Sequence, residues 1–240
     1  MPGTLIHFHK KIVCFVTAIL FSITFFGQAN RKGSKESDPE KYPAMNVEVE
    51  TYLRALRDSG EAVSYRLKLC ADVPDNRHPL KVAYQQESGH VFLILQKILP
   101  GADTLNKVFG FYPKKGLPTL FFKTISSRIK DNSYREYDVD VSVDITASQF
   151  DTVLAIAVYQ SLRKYHINRF NCYDYALNIF NAVAGDSTLP VVYVRFPFIF
   201  GRGGSPCSVY KGLSRLRNSA FWGPRIRFGQ FRAPVSSGRF

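Results

Sequence analysis

The sequence predicts an α+β domain: a small, mostly antiparallel sheet packed on a helix that bears a cysteine at its N-terminus. Three observations carry this. Period-two alternation of apolar and polar residues recurs between residues 62 and 145. Two amphipathic helical stripes with good caps follow it. Cys172 falls at the first helical position of the second stripe, behind the N-cap Asn171.

In chain order, a helix is expected from about Met45 to Arg57, ending near Ser59-Gly60. Ala62 to Val73 reads as a strand, with Val63, Tyr65, Leu67, Leu69 and Ala71 on one face. Pro74 to Pro79 is a loop. The strand opening at His90 is almost wholly apolar, as a strand covered on both faces would be. Pro100 to Asn106 makes a turn, and Lys107 to Tyr112 returns as a third strand stopped by Pro113. The clearest strand is Tyr137 to Ile145, with Tyr137, Val139, Val141, Val143 and Ile145 facing one way. Asp138, Asp140, Ser142 and Asp144 face the other. Same-face neighbours sit about 7 Å apart, too far to share one calcium ion, so this acidic row is expected to be a solvated face. Thr146 and Gln149 form a capping box for a helix running to about Tyr165. His166 to Phe170 connects it to the Cys172 helix, which Gly185 closes. After the apolar run Val191 to Val194 no packed element is predicted, and Gly201-Arg202-Gly203-Gly204 reads as a flexible hinge.

The N-terminus has the layout of a secretory signal. His7, His9, Lys10 and Lys11 precede an apolar run from Ile12 to Phe26, and Gly27-Gln28-Ala29 supplies small residues for cleavage. The run is shorter than the roughly 20 apolar residues a membrane-spanning helix needs, although a retained anchor is the alternative. Cys14 lacks the small residues that precede a lipidated cysteine. The expected organisation is a signal peptide at 1–29, a flexible polar leader at 30–44, a globular domain at 45–200 and a basic segment at 201–240. Export places the chain in a periplasm, at a cell surface or outside the cell.

The chain has 240 residues, is 45% apolar and carries a net charge of +13, as befits a globular, basic protein. The charge is uneven: residues 201–240 hold eight Lys or Arg and no acidic residue. For an exported protein this suggests an anionic envelope polymer or membrane surface as partner, with nucleic acid the less expected one. Cys70, Cys172 and Cys207 remain after signal cleavage. An odd count leaves one thiol unpaired, and a Cys70–Cys207 disulfide would leave Cys172 free. No Cys-x-x-Cys pair, metal-ligand histidine spacing or phosphate-cradling glycine loop is present, so no metal or cofactor is expected.

A thiol in the first turn of a helix feels unpaired N–H groups and the positive end of the dipole, which favour thiolate. Against this stands the reading of Cys172 as a small buried hydrophobe. His90 follows Gly89 at the mouth of its strand, and a histidine on a strand beside a helix-N-terminal cysteine suits a nucleophile and its general base. His166, six residues before Cys172, is a second candidate base or an ordinary loop histidine.

Ser88-Gly89-His90-Val91-Phe92 opening a strand and Asn171-Cys172-Tyr173-Asp174-Tyr175-Ala176 opening a helix resemble the two signature blocks of the circularly permuted NlpC-type papain-like superfamily. That branch includes relatives of lecithin:retinol acyltransferase. The histidine block precedes the cysteine block, as in the permuted order, and the resemblance spans about residues 62–190. It implies a cysteine hydrolase or acyltransferase acting on amide or ester bonds, with Cys172 as nucleophile and His90 as base. It also implies a polar residue on the following strand to orient the imidazole. Tyr112 stands there in place of the usual His, Glu, Asn or Gln. Cell-wall peptides are the substrate class expected first, and lipid or protein esters and amides second. The alternative is a non-catalytic envelope binding protein on the same scaffold.

Overall fold

A computed structural model describes residues 45–82, 88–101, 103–115, 124–196 and 201–237. The expected signal peptide at 1–29 and leader at 30–44 lie outside the described residues. Among the described residues no helix is long and apolar enough to cross a membrane.

Nine strands and four α-helices form among the described residues. They are β1 (Asn46–Val47), α1 (Val49–Arg57), β2 (Ser64–Asp72), β3 (His90–Ile98), β4 (Thr104–Pro113), β5 (Ser127–Asp131) and β6 (Glu136–Ile145), then α2 (Ala147–Ser161), α3 (Cys172–Asn181), β7 (Val194–Arg195), β8 (Arg202–Gly203), α4 (Pro206–Leu216) and β9 (Ile226–Arg232). Seven strands make one antiparallel sheet in the order β1-β5-β4-β3-β2-β6-β9, and β7 pairs with β8 separately. The mixed α+β architecture and its mostly antiparallel sheet are as the alternation predicted.

The sheet has two unlike faces. Leu67, Leu69, Val91, Leu93, Leu95, Val139, Val141 and Val143 form the main core with side chains from all four helices. Cys70, Phe92, Ile94, Val108, Tyr137 and Ala233 make a smaller cluster on the other face. His90, two residues before Phe92, shares that second face, because side chains alternate along a strand.

Several boundaries move. Glu48, not Met45, caps α1, with its carboxylate accepting from the N–H groups of Glu50 and Thr51, and Asn46–Val47 is a short edge strand. Strand β5 was not predicted; it pairs with β4 through Phe109↔Asp131 to Pro113↔Ser127. The Thr146–Gln149 capping box forms as expected, but α2 stops at Ser161. Beyond it Tyr165 exchanges backbone hydrogen bonds with Ile125, at 2.8 and 3.0 Å.

Residues 201–237 carry packed elements of their own. Ser205 caps α4 with Pro206 at its first turn, and Val209 and Leu213 join the main core. Gly201–Gly204 therefore leads directly into a helix rather than acting as an open hinge. Beyond α4, β9 pairs with β6, and the acidic row that alternation placed in solvent is buried at Asp138 and Asp140 while Asp144 stays exposed. Asp140 is wholly buried against Arg227 of β9, and the Asp138 carboxylate accepts the Val73 N–H at 2.9 Å. Tyr137 also lies in the second cluster rather than on the valine face, beside a register shift in the β6–β9 ladder between Tyr137 and Val139.

The three cysteines that follow the predicted signal are free. Cys70 points into the second face, whereas α4, which carries Cys207, packs on the helical face. The Cys207 thiol donates instead to the Lys81 carbonyl, at 3.0 Å. The Cys70–Cys207 disulfide does not form because the sheet stands between the two residues.

Candidate functional site around Cys172 and His90

Asn171 caps α3 as predicted: its side chain accepts from Tyr173 N–H at 2.8 Å, and Asp174 accepts from Asn171 N–H at 3.0 Å. The cap is also anchored, since Asn171 Nδ2 donates to the Ile167 carbonyl at 2.7 Å and the Gly204 carbonyl at 2.9 Å. Cys172 thus occupies the first helical position of α3, nine-tenths buried.

The strand carrying His90 packs against this helix, and its opening lies at the helix's first turn. Ile98 accepts from Val63 on the β2 side, while the next N–H, of Leu99, donates to Asp103 on the β4 side. Backbone groups alternate in direction along a strand, so the N–H of Val91 points toward β4. The β3–β4 ladder ends at Leu93↔Phe109, two residues short of Val91. The Val91 N–H lies beyond the end of that ladder, near enough to the Cys172 sulphur to favour its thiolate. Sheet and helix are joined where β3 and β4 part.

His90 itself is buried, at 4% exposure. Its ring stacks on Tyr112, with centroids 4.1 Å apart and planes 25° from parallel, and lies parallel to Phe92 at 6.3 Å. Tyr112 therefore contacts the imidazole by ring stacking, and its hydroxyl is engaged by Asn132 Nδ2. Gly110 lies beneath the pair. A Cβ there would fall 2.3 Å from His90 Nε2 and 2.7 Å from Asn132 Oδ1, so both atoms converge on the bare glycine. Neither has a hydrogen-bond partner. Among the described residues no hydrogen bond joins His90 to Cys172. Gly89, at φ 65°, lets the chain pass the Asp72 carbonyl, which a Cβ would approach to 2.1 Å.

The turn between β5 and β6 supplies what sequence reasoning missed. Asn132 opens it and Arg135 closes it, with Arg135 N–H donating to the Asn132 carbonyl at 3.0 Å. Arg135 Nη2 donates to Asp72 Oδ2 at 2.7 Å, and Asp72 is the cross-strand partner of His90. The Lys130 ammonium lies 5.1 Å above the Tyr112 ring. No motif marks Asn132 or Arg135 in the sequence; only the closing of the sheet brings them here. His166 is buried in the connection before Cys172, and its Nδ1 accepts from Asn168 N–H at 3.1 Å, which ties it to local loop structure.

The electrostatics differ from the dipole expectation. Burial pushes the Cys172 thiol up to about 11, with Asp174 adding to the rise. The N–H groups of Val91 and Tyr173 and the Arg135 charge oppose it without prevailing. Burial, and then the positive charges of Arg135 and Lys130, hold His90 well below the usual imidazole range. The site rests as neutral thiol and neutral imidazole.

No protein-family model matches the chain, and comparisons with curated proteins and with solved structures return no significant match.

Asp174 yields a test of the cap. Burial raises its carboxyl to about 6 from an ordinary value near 3.8, although the Asn171 N–H and Arg163 favour the charge. The folded chain keeps this proton where the unfolded chain has lost it. The associated stability is therefore full below about pH 4 and gone above about pH 6. Asp174→Asn keeps an acceptor for Asn171 N–H and removes the ionisation. Urea midpoints from pH 4 to 7 are expected to fall less in the variant, with a gain on the order of 2–3 kcal/mol at pH 7. A lower midpoint at pH 7 would show the charge to be favourable in place.

Proposed function

We propose that this chain is a thiol hydrolase or acyltransferase that attacks amide or ester bonds through Cys172, on a permuted NlpC-type papain-like arrangement. The observation that carries the reading is the packing of the cysteine helix on the histidine strand, with Val91 and Cys172 in one buried core. It sets the opening of the histidine strand against the first turn of the cysteine helix. Neutral imidazole is the form of His90 that accepts a proton, and neutral thiol is the form of Cys172 that gives one.

In the proposed reaction the Cys172 sulphur adds to the substrate carbonyl carbon as its proton passes to His90. The imidazolium then returns that proton to the departing amine or alcohol, leaving a thioester that water or an acceptor nucleophile cleaves. Asn132 Oδ1, unpartnered beside His90 Nε2, is the acceptor available to steady the imidazolium, a task Tyr112 performs only through ring contact. Since the imidazole rests on the Phe92 side, it must turn toward the gap between β3 and β4 when substrate enters. Substrate complexes commonly tighten such contacts.

Cell-wall peptide amides are the substrate class proposed, with export to a bacterial envelope directed by residues 1–29. Arg202, Lys211, Arg215, Arg217, Arg225 and Arg232 would hold the enzyme at an anionic surface, since only Arg227 in this region makes an ion pair among the described residues. The resting separation of His90 from Cys172 favours a second reading, a binding protein that keeps the scaffold without turnover.

An activated ester distinguishes the two. With p-nitrophenyl acetate the enzyme reading expects one acetyl group per chain on Cys172, found by peptide mass, and a rate at least about 100-fold lower in His90→Ala. An unmodified Cys172, or acylation indifferent to His90, would leave the binding protein.

A further inference from the structure

Buried polar atoms in folded proteins nearly always have partners, so a cluster of unpartnered ones calls for an explanation. Four such atoms gather around the site: His90 Nε2, Arg128 Nε, Asn132 Oδ1 and Arg135 Nε. Three belong to the β5 strand and the turn after it. Arg128 and Lys130 pair across the ladder with Tyr112 and Gly110, which places both cations on the face that carries the His90 ring.

The charges in this place are strongly one-sided. Arg128, Lys130 and Arg135 supply three positive charges. Among the described residues Arg128 and Lys130 have no ion-pair partner, and Arg135 is paired with Asp72. That pairing uses Nη2, leaving Nε–H shielded and unbonded, while 31% of the side chain remains exposed. A guanidinium fixed by one carboxylate, with donors to spare, is built to receive a second anion.

We propose that the site selects substrates bearing a carboxylate next to the bond attacked, and that Arg135, set by Asp72 and backed by Lys130 and Arg128, is the residue that receives it. This rests on the thiol reading for the word substrate, but the anion preference is a property of the site that can be measured without turnover. The Asn132–Arg135 turn then has two tasks. One end faces the imidazole and the other faces the anion, at a spacing the Arg135 N–H to Asn132 carbonyl bond maintains.

The test compares two alkylating reagents of like reactivity and unlike charge at Cys172, followed by peptide mass so that Cys70 and Cys207 do not contribute. Iodoacetate is an anion and iodoacetamide is neutral. Their rate ratio cancels any change in thiol ionisation, which affects both alike. The ratio is expected to fall roughly threefold or more in Arg135→Gln, and to fall in wild type at high salt. Arg135→Lys should keep most of it. Should the Gln variant not fold, Asp72→Asn decides the matter, because freeing the guanidinium from its carboxylate should raise the ratio. A ratio unchanged by Arg135→Gln, or by Asp72→Asn where that variant is the arbiter, overturns the proposal. His90→Ala enters separately: if acylation ignores His90 while the ratio still follows Arg135, the hydrolase reading fails and the anion site stands.

Discussion

Gly204→Ala is expected to lower the thermal midpoint by roughly 10 °C, one of the two largest losses that a single change to this chain should cause. The Cβ that alanine adds would lie 1.8 Å from Cδ1 of Tyr173 and 2.5 Å from Cγ. Tyr173 has little room to yield: it is 2% exposed, and its hydroxyl accepts the Val192 N–H at 2.8 Å. Nor is the loop free to retreat, because the Gly204 carbonyl accepts from Asn171, the cap of the Cys172 helix. Overpacking, together with the stranded Val192 N–H, should cost on the order of 3 kcal/mol or more. The change also loosens the Asn171 cap, so Cys172 should alkylate faster in the variant. Gly212 of α4 is the natural control. Its added Cβ would meet nothing nearer than 3.5 Å, and helix propensity favours alanine there by up to about 1 kcal/mol. A scan in which Gly204→Ala melts within 2 °C of wild type would show that loop and ring have slack the packing does not suggest.

Arg227→Ala should cost about 3 kcal/mol, measured by urea unfolding. Asp140 is fully buried on β6, and Arg227 holds it through two bonds, Nη2 at 2.5 Å and Nε at 3.1 Å. Removing the guanidinium leaves a carboxylate in the sheet without its cation, which costs far more than the pair itself contributes. The Arg227 side chain is half exposed, so water will partly replace it and the loss falls at the low end of that range. Adding Asp140→Asn to Arg227→Ala should recover much of the loss, since a neutral amide is cheaper to bury than a charge. If the double variant is no more stable than Arg227→Ala, the packing of the guanidinium over the Phe231 ring is what matters, rather than the charge it neutralises.

Both results turn on the segment after residue 200, where sequence reasoning found least. Its aromatic, glycine and arginine content shows no regular period, and the reasons for each residue lie elsewhere in the chain. Gly204 is small because of Tyr173, and Arg227 is basic because of Asp140. The acidic row shows the same limit from the other side. Alternation correctly placed Asp140 opposite the valines of β6, but whether that face meets water depends on β9, which arrives almost ninety residues later. Tyr137 was assigned to the wrong face because the alternation of β6 breaks before Val139, where the β6–β9 ladder shifts register, and no local signal announces it.

The sequence by itself determined the elements whose causes are local. Alternation set the strands β2 and β6, a continuous apolar run set β3, Thr146 with Gln149 started α2, and Asn171 put Cys172 at the start of α3. These depend on side chains within a few residues of one another, so they are written in adjacent letters. Tertiary structure alone decided the neighbours of Cys172 and their charge. Burial overrode the helix dipole and left the thiol neutral, while stacking made Tyr112 a ring partner of His90. The turn after β5 brought Asn132 and Arg135 to a histidine some forty residues earlier. Desolvation and long-range charge are sums over the whole fold, and no short stretch of chain contains them.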